Sequence, residues 1–393
     1  MPQKRRQQGS RSGPGSASSS PDVPPAPRPR GAERIVANDS LLATETERAA
    51  TSKSLYSDHK ARIGSNLSTV RDRARNSAYS CAIQACMPGK NVLHVGCGIG
   101  LLSMMAARAG ARLVVGVDTS SIVGTATELA RRNNLSNVVF VQGRLQSGSV
   151  TLPLQHFDVI LCEWMGAFVS NDDTFGELEY CVKHHLGPSG IIVPNRATLH
   201  VVALSDYNYR CETLDYWDNV YGFNMAPMRP LVLHEATSGS IPRECVASRP
   251  SLAYSLDLGT VIANARSAAV GTDAAAAVVE LAAYRRYASN FTITVEKRCT
   301  VHFLTFYLSA SFTDRENPRG NFVLAFGVGD HNPFTEVTLS LPVPIPVFAG
   351  DEIRGTLSVH AVKHQHTELE LRLICENAAV GNYDHTQRFL YQY

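Results

Sequence analysis

Three glycines and one acidic residue have the types and spacing of a nucleoside-binding turn. Gly96, Gly98 and Gly100 alternate with larger residues, and Asp118 follows 18 residues after Gly100. Glycines let the backbone approach a ligand closely, and a carboxylate at the end of the next strand can accept both hydroxyls of a ribose. The spacing is GxGxG and not the GxGxxG of dinucleotide-binding sites. A nucleoside without phosphates therefore fits this turn better than a dinucleotide does. The alternative is that the glycines serve only the tight packing of a strand against a helix.

The elements around this turn are predicted to form a βαβ unit. The sequence NVLHVGCGIGLLSMMAARAGARLVVGVD indicates a buried strand, the glycine turn, a helix, and a second buried strand that ends at Asp118. Two more buried strands are predicted at 138–143 and 157–165, with a helix at 123–133 before the first. We therefore expect a doubly wound parallel sheet up to about residue 190.

The flanking regions have other patterns. Residues 41–90 lack strand alternation and are predicted to be helical, with breaks at Gly64 and Pro88. After Pro194 the pattern changes to short alternating segments separated by turn residues, which is typical of an antiparallel β-domain. An alanine-rich run at 274–286 interrupts that pattern and is interpreted as an inserted helix.

The first residues differ from the rest in composition and charge. Of 393 residues with a net charge of +2, residues 1–30 hold six basic residues against one acid, and seven of the 20 prolines. Such a tail is expected to be disordered and solvated, with RNA or an acidic protein as the alternative ligand. The nine cysteines contain no CxxC pair, no apolar run is long enough to span a membrane, and the first residues are not expected to form a secretory leader. We expect a cytoplasmic chain, or alternatively a nuclear one, without metal and without a membrane.

Longer motifs resemble the protein arginine N-methyltransferases. VLHVGCGIGLLSMMAARAGA, GVDTSSI, DVILCEWMG, PNRATLHV and YWDNVYGFNM occur in the order and spacing of that family, over about residues 50–380. The disordered basic tail that the composition predicts is expected to occupy 1–36. The resemblance implies an α/β Rossmann-like domain that binds S-adenosylmethionine, with an N-terminal helical segment, at 41–193, and an antiparallel β-barrel domain at 194–393. It also implies a dimerisation arm at about 210–230, with the interface aromatics Tyr216, Trp217, Tyr221 and Phe223. Without the family, these aromatics could be plain core.

The resemblance assigns roles around the glycine turn. The three glycines would line the methionine side of S-adenosylmethionine, and Asp118 would hold its ribose. Arg75 matches the arginine that pairs with the cofactor carboxylate, a task that suits a planar guanidinium. Two positions that are acidic in the family hold His94 and Gln146 here, and the latter is expected to contact adenine. Because each change removes negative charge from a site for a cationic sulfonium, we expect weak or vestigial cofactor binding.

The family's catalytic carboxylates are also altered. In the family, two glutamates on one loop grip the substrate guanidinium and bias its charge away from the attacking nitrogen. Glu163 matches the first, but the second position holds Asp172. A side chain shorter by one bond misplaces the carboxylate by about 1 Å, and a misplacement of that size can cost about 100-fold in rate. We expect this degenerate pair to be incompetent.

Two further segments depart from the family. Its Thr-His-Trp loop in the barrel falls on Asn332-Pro333-Phe334, where rescue by the neighbouring His331 is an alternative. Its Tyr-Phe-x-x-Tyr lid aligns with 56–60, where only the first tyrosine is kept. These losses concern catalysis, whereas the motifs of the fold and the arm are retained.

Three functions are therefore considered. The first is a catalytically weak or inactive paralogue that pairs with a catalytic arginine methyltransferase, in a heterodimer or heterotetramer, and supports methylation of arginine-rich proteins by it. This resembles the arginine methyltransferase prozyme of trypanosomatid parasites. The second is an active S-adenosylmethionine-dependent enzyme that tolerates Asp172, and the third is a noncatalytic module that binds RNA through the basic tail.

Overall fold

A computed structural model describes residues 61–148, 150–170, 173–268, 280–314, 317–325, 328, 336–362, 366–377 and 381–392. All of these residues belong to one compact unit, Tyr56–Tyr393. The predicted tail at 1–36, the lid residues at 56–60, Asp172 and the loop at 331–334 lie outside the described residues. What the sequence predicts for them stays a prediction.

The helices and strands alternate in the first half and strands dominate the second. The α-helices of the described residues are α1 (Ile63–Arg71), α2 (Arg73–Cys86), α3 (Leu101–Arg108), α4 (Val123–Arg132), α5 (Asp173–His184), α6 (Tyr207–Thr213), α7 (Arg229–His234) and α8 (Leu258–Ala268). The strands are β1 (Asn91–Val95), β2 (Leu113–Asp118), β3 (Val138–Gln142), β4 (Phe157–Cys162), β5 (Leu186–Val193), β6 (Arg196–Leu204), β7 (Thr237–Ser238), β8 (Ser251–Asp257), β9 (Arg286–Thr294), β10 (Cys299–Phe312), β11 (Phe322–Ala325), β12 (Val337–Val347), β13 (Glu352–Val362), β14 (His366–Asn377) and β15 (Gly381–Gln392). No helix in the described part of the chain is long and apolar enough to cross a membrane.

The first half is built on a parallel sheet with β1 at its centre. The strand order is β3-β2-β1-β4-β5, and every neighbouring pair is parallel. β1, β2 and β4 are buried almost throughout, as their continuous apolar sequences predict for a parallel sheet. The predicted βαβ unit is confirmed, and it brings the carboxyl ends of β1, β2 and β4 to one edge of the sheet.

Helices α1 and α2 precede this sheet and meet at a capped boundary. The predicted break at Gly64 is wrong, because Gly64 lies in the first turn of α1 and the break falls at Asp72. Asp72 is the N-cap of α2, where its Oδ1 accepts a hydrogen bond from the backbone N–H of Arg75 at 2.9 Å. This cap fixes the first turn of α2, and with it the position of Arg75.

The second half consists of antiparallel sheets. One has the order β7-β12-β10-β6-β8 with β11 paired to β10, and the other has the order β15-β14-β13-β9. One continuous apolar core includes Val92 and Leu93 of the parallel sheet as well as Phe306 and Leu357 of the antiparallel sheets. The predicted fold class, an α/β Rossmann-like domain followed by an antiparallel β-barrel domain, is confirmed.

The sequence predicts a helix at 274–286, of which residues 274–279 lie outside the described residues, and Leu281–Arg285 forms a 3₁₀ turn. Helix α8, which the sequence did not predict, precedes this segment. Arg266 of α8 donates from Nη2 to the carbonyls of Gly187 and Gly190 at 2.9 and 3.0 Å. These bonds hold α8 against β5.

Candidate active site

A cleft of about 280 Å³ opens at the carboxyl edge of the parallel sheet. Its floor is the turn after β1, and Asp118 and Glu163 reach it from the ends of β2 and β4. Asn66 and Thr69 of α1 form the opposite wall. Ligands of open α/β sheets bind outside the carboxyl ends of the strands, so this is the expected position of a ligand site.

The glycine turn has backbone angles that favour glycine. Gly96, Gly98 and Gly100 have φ angles of 71°, 53° and 79°, in the left-handed region. A Cβ at Gly100 would lie 2.4 Å from the Phe140 ring, whereas one at Gly96 would meet nothing within 4 Å. Gly100 is therefore needed for packing, and Gly96 leaves open space beside the cleft. Of the two interpretations of the turn, tight packing of a strand against a helix applies to Gly100, and close approach of a ligand applies to Gly96.

Asp118 holds this turn in place. Its Oδ2 accepts a hydrogen bond from the backbone N–H of Gly98 at 2.8 Å. Its Oδ1 accepts from the backbone N–H and the hydroxyl of Ser120 at 2.9 and 2.7 Å. A carboxylate oxygen has two lone pairs, so Oδ2 retains one acceptor position. Asp118 can therefore hold both the glycine turn and a hydroxyl of a bound ribose.

Arg75 and Glu163 form a bidentate ion pair in the cleft. Nε and Nη2 of Arg75 donate to Oε1 and Oε2 of Glu163 at 2.7 and 2.5 Å, and Nη1 donates to Oδ1 of Asn76 at 2.7 Å. Burial lowers the pKa of the Arg75 guanidinium, but the charge of Glu163 and its hydrogen bonds outweigh burial, so that the pKa lies above its usual value. A guanidinium has five N–H donors. One on Nη1 and one on Nη2 remain for a further carboxylate.

Tyr79 lies behind this ion pair, and sequence reasoning missed it. The Arg75 guanidinium lies 5.2 Å from the centroid of the Tyr79 ring, and the Tyr79 side chain is fully buried. Burial, followed by the charge of Glu163, raises the pKa of its hydroxyl well above the usual range. Tyr79 lies one helical turn after Arg75 in α2, and that spacing is the signal that could have identified it.

His94 is neutral in this site. It is buried in β1, and Nδ1 lies 2.7 Å from the hydroxyl oxygen of Ser103. Burial lowers its pKa from 6.5 to about 4. His94 therefore adds no positive charge to the cleft at neutral pH, and it supplies no negative charge either.

The loop after β4 is fixed at two residues that follow Glu163. Trp164 is fully buried and donates from Nε1 to the carbonyl of Pro194 at 2.9 Å. Further along, the Ser170 hydroxyl donates to the carbonyl of Tyr284 at 2.5 Å. The structure thus ties this loop to the second half of the chain. Asp172 lies just beyond the described part of the loop, so its pairing with Glu163 stays a prediction.

Gln146 lies apart from the cleft. It belongs to a 3₁₀ turn, Leu145–Ser147, and its side chain is exposed. It is not among the residues that line the cleft. Its predicted contact with adenine stays a prediction.

The predicted arm is a self-supported segment between β6 and β7. Arg229 donates from Nη1 to Asp218 and from Nη2 to Asp215, each at 3.0 Å. Trp217 donates from Nε1 to the carbonyl of Thr213 at 3.0 Å and is half-buried. The other three predicted interface aromatics are exposed to 47, 94 and 72%; they are Tyr216, Tyr221 and Phe223. Large apolar groups this exposed are typical of an interaction surface.

Family models match both halves of the chain. Residues 92–190 match a methyltransferase domain, and residues 195–376 match the arginine methyltransferase oligomerization subdomain. Protein arginine N-methyltransferase 1 of Saccharomyces cerevisiae is 30% identical over 338 residues, which cover 84% of this chain and 90% of that protein. Its counterpart in Schizosaccharomyces pombe is 29% identical over 82% of this chain and 89% of that protein.

Solved structures with this fold include two methyltransferases. A chain of the Trypanosoma brucei PRMT1 enzyme-prozyme heterotetrameric complex with AdoHcy is 35% identical, with a TM-score of 0.74, over 84% of this chain and 99% of that one. Arabidopsis thaliana protein arginine methyltransferase 10 is 18% identical, with a TM-score of 0.67, over 84% of this chain and 98% of that one. The second likeness concerns the fold alone.

Proposed function

Because the chain belongs to the protein arginine N-methyltransferase family, we propose that it is a prozyme: a catalytically weak or inactive subunit that pairs with a catalytic arginine methyltransferase and activates it. The catalytic partner would methylate the arginine-rich proteins, and this chain would stabilise the partner's active geometry. We propose that the pair acts in the cytoplasm.

The ion pair between Arg75 and Glu163 is the observation that carries this proposal. A guanidinium is planar and fully protonated, and it becomes a nucleophile only when carboxylates draw its charge away from the attacking nitrogen. Both oxygens of Glu163 already accept hydrogen bonds from Arg75. A substrate arginine would compete with this preformed pair, in which the Arg75 side chain is 6% and the Glu163 side chain 33% exposed. Each Glu163 oxygen retains one lone pair, but the charge of the carboxylate is already paired with Arg75. The described part of the loop therefore offers a substrate no carboxylate without a cationic partner.

The sequence supports the same conclusion at three other places. Asp172 replaces the second glutamate, Asn332-Pro333-Phe334 replaces the Thr-His-Trp loop, and the lid keeps only Tyr56. Each change removes a group that the family uses for turnover.

We propose that S-adenosylmethionine binds weakly in the cleft. The glycine turn, the free acceptor position of Asp118 and the two free donors of Arg75 fit its methionine and ribose parts. The bound cofactor would supply the methyl group as a sulfonium. His94 and Gln146 leave the cleft without two carboxylates that would attract this cation.

Pairing with a sister enzyme is supported by the arm and by one structural relative. The exposed Tyr221 and Phe223 form an aromatic surface of the kind that dominates interface energetics. The relative at 35% identity comes from an enzyme-prozyme heterotetramer. We propose the same type of assembly here, as a heterodimer or a heterotetramer.

A methyl-transfer assay of the isolated chain tests the proposal. The purified full-length protein, with labelled S-adenosylmethionine and an arginine-rich peptide, should transfer at least about 100-fold less methyl group than an intact relative, because the carboxylate pair is degenerate. Turnover comparable to that of the relative, abolished by Glu163→Gln, would instead favour an active enzyme that tolerates Asp172.

A further inference from the structure

Helix α1 forms a wall of the cleft without an apolar anchor. It contributes Asn66 and Thr69 to the wall, and both are half-buried. None of its nine residues is buried, and its apolar side chains Ile63, Leu67 and Val70 are all exposed. A helix of this length is marginal in water by itself, and most helices are stabilised by packing an apolar face. Polar contacts must therefore contribute to holding α1 in place.

Asn76 of α2 provides such contacts at the end of α1. Its Nδ2 donates to the carbonyl oxygen of Thr69 at 3.0 Å and to that of Val70 at 2.9 Å. The last carbonyls of a helix find no backbone donor within it. The backbone N–H of Asp72 donates to the carbonyl of Ser68 at 3.0 Å, and Asn76 serves the next two. A side chain of α2 thus caps the last turn of α1.

Arg75 fixes the orientation of the Asn76 amide. Nη1 of Arg75 donates to Oδ1 of Asn76 at 2.7 Å. A guanidinium can only donate and a backbone carbonyl can only accept, so the amide oxygen must face Arg75 and the NH₂ must face α1. A hydrogen bond from a charged donor is stronger than one between neutral groups. Because Glu163 in turn holds Arg75, the end of α1 is connected to the ion pair in the cleft.

We infer that Asn76 is a positioning residue, which fixes α1 as the wall of the cleft only while Arg75 is held in place. The wall depends on polar contacts to one buried charge and not on apolar packing. It can therefore open without unfolding of the sheet below it. This coupling belongs to the chain without ligand, so it is independent of the proposed pairing and of the proposed cofactor binding.

Hydrogen exchange of the backbone amides at 67–71, measured by mass spectrometry on the full-length chain without ligand, tests the role of Asn76. Asn76→Asp keeps an acceptor for Arg75 but replaces both donors to α1 by an oxygen that repels the carbonyls. Exchange should accelerate by about tenfold or more, as expected for two lost hydrogen bonds. The variant should fold, because an acidic residue in the first turn of α2 is favourable.

A matched control is Asn133→Asp, which makes the same change at the end of α4. There Nδ2 of Asn133 donates to the carbonyl of Leu129 at 2.8 Å. This variant should accelerate exchange in the last turn of α4 and leave α1 unchanged. Faster exchange of α1 in both variants would indicate a general loss of stability and would overturn the role of Asn76.

The dependence on Arg75 is measured with a double-mutant cycle. Arg75→Lys keeps the positive charge but lacks the forked donors that reach Glu163 and Asn76 together. It should accelerate exchange of α1 in the wild-type chain and have no further effect in a chain that already carries Asn76→Asp. Additive effects would show that the two residues act independently. Unchanged exchange in Asn76→Asp alone would show that Asn76 does not hold α1.

Discussion

At the scale of single residues, His94 shows how burial sets the charge of a side chain in the site. Its position in β1 is one at which the family has an acid, and the sequence alone indicates only that a negative charge is lost. Burial beside Ser103 determines the charge of His94, because it keeps the imidazole neutral. That environment depends on residues from other elements, so the sequence could not predict it.

The free energy of unfolding should therefore fall as the pH is lowered from 6.5 to 4. The unfolded chain binds a proton at His94 near pH 6.5, whereas the folded chain resists it until about pH 4. Stability contributed by the neutral imidazole is thus present above pH 6.5 and lost as the pH falls through the folded pKa, by about 3 kcal/mol at most. Urea denaturation at several pH values measures this.

The contribution of His94 is isolated by comparison with two variants. His94→Gln should flatten the fall, whereas His184→Gln, at an exposed position on α5, should not change it. An identical fall in the wild-type chain and in His94→Gln would show that other groups cause the pH dependence.

Single elements show which predictions from sequence succeed. The βαβ unit was predictable, because continuous apolar strands and a glycine turn are local patterns. The boundary between α1 and α2 was not, because the Asp72 cap outweighs the glycine at 64. The pair of Arg75 and Glu163 joins residues 88 positions apart. Contacts of this range depend on topology and not on local spacing.

The arm is the element on which the proposed pairing depends. Replacing Tyr221 and Phe223 together by Ser should weaken association with the catalytic partner by about 100-fold or more, as expected for two interface anchors. Both side chains are exposed, so the variant should remain folded. Trp217 is a poorer choice, because it bonds within the arm. Analytical ultracentrifugation of the mixed chains measures the effect.

The control for the arm is Leu252→Ser, which changes an exposed apolar residue of β8. This variant should associate as tightly as the wild-type chain. Unchanged association of the Tyr221→Ser, Phe223→Ser double variant would place the interface elsewhere on the molecule.

At the scale of the whole molecule, the fold is retained while the groups for turnover are altered. The loop that carries Glu163 is bonded to Pro194 and Tyr284 of the second half, the half that also carries the arm. This architecture suits the proposed subunit, which would hold a partner's active site in one conformation without completing a reaction of its own.

Titration of this chain into a fixed amount of its catalytic partner tests that claim most directly. The partner is identified as the arginine methyltransferase that co-purifies with this chain, and the rate of methyl transfer to an arginine-rich peptide is the readout. We predict negligible transfer by either protein alone and a rate that rises to saturation when the two are equimolar. A partner that is fully active alone and unaffected by this chain, or a chain that turns over by itself, would contradict the account.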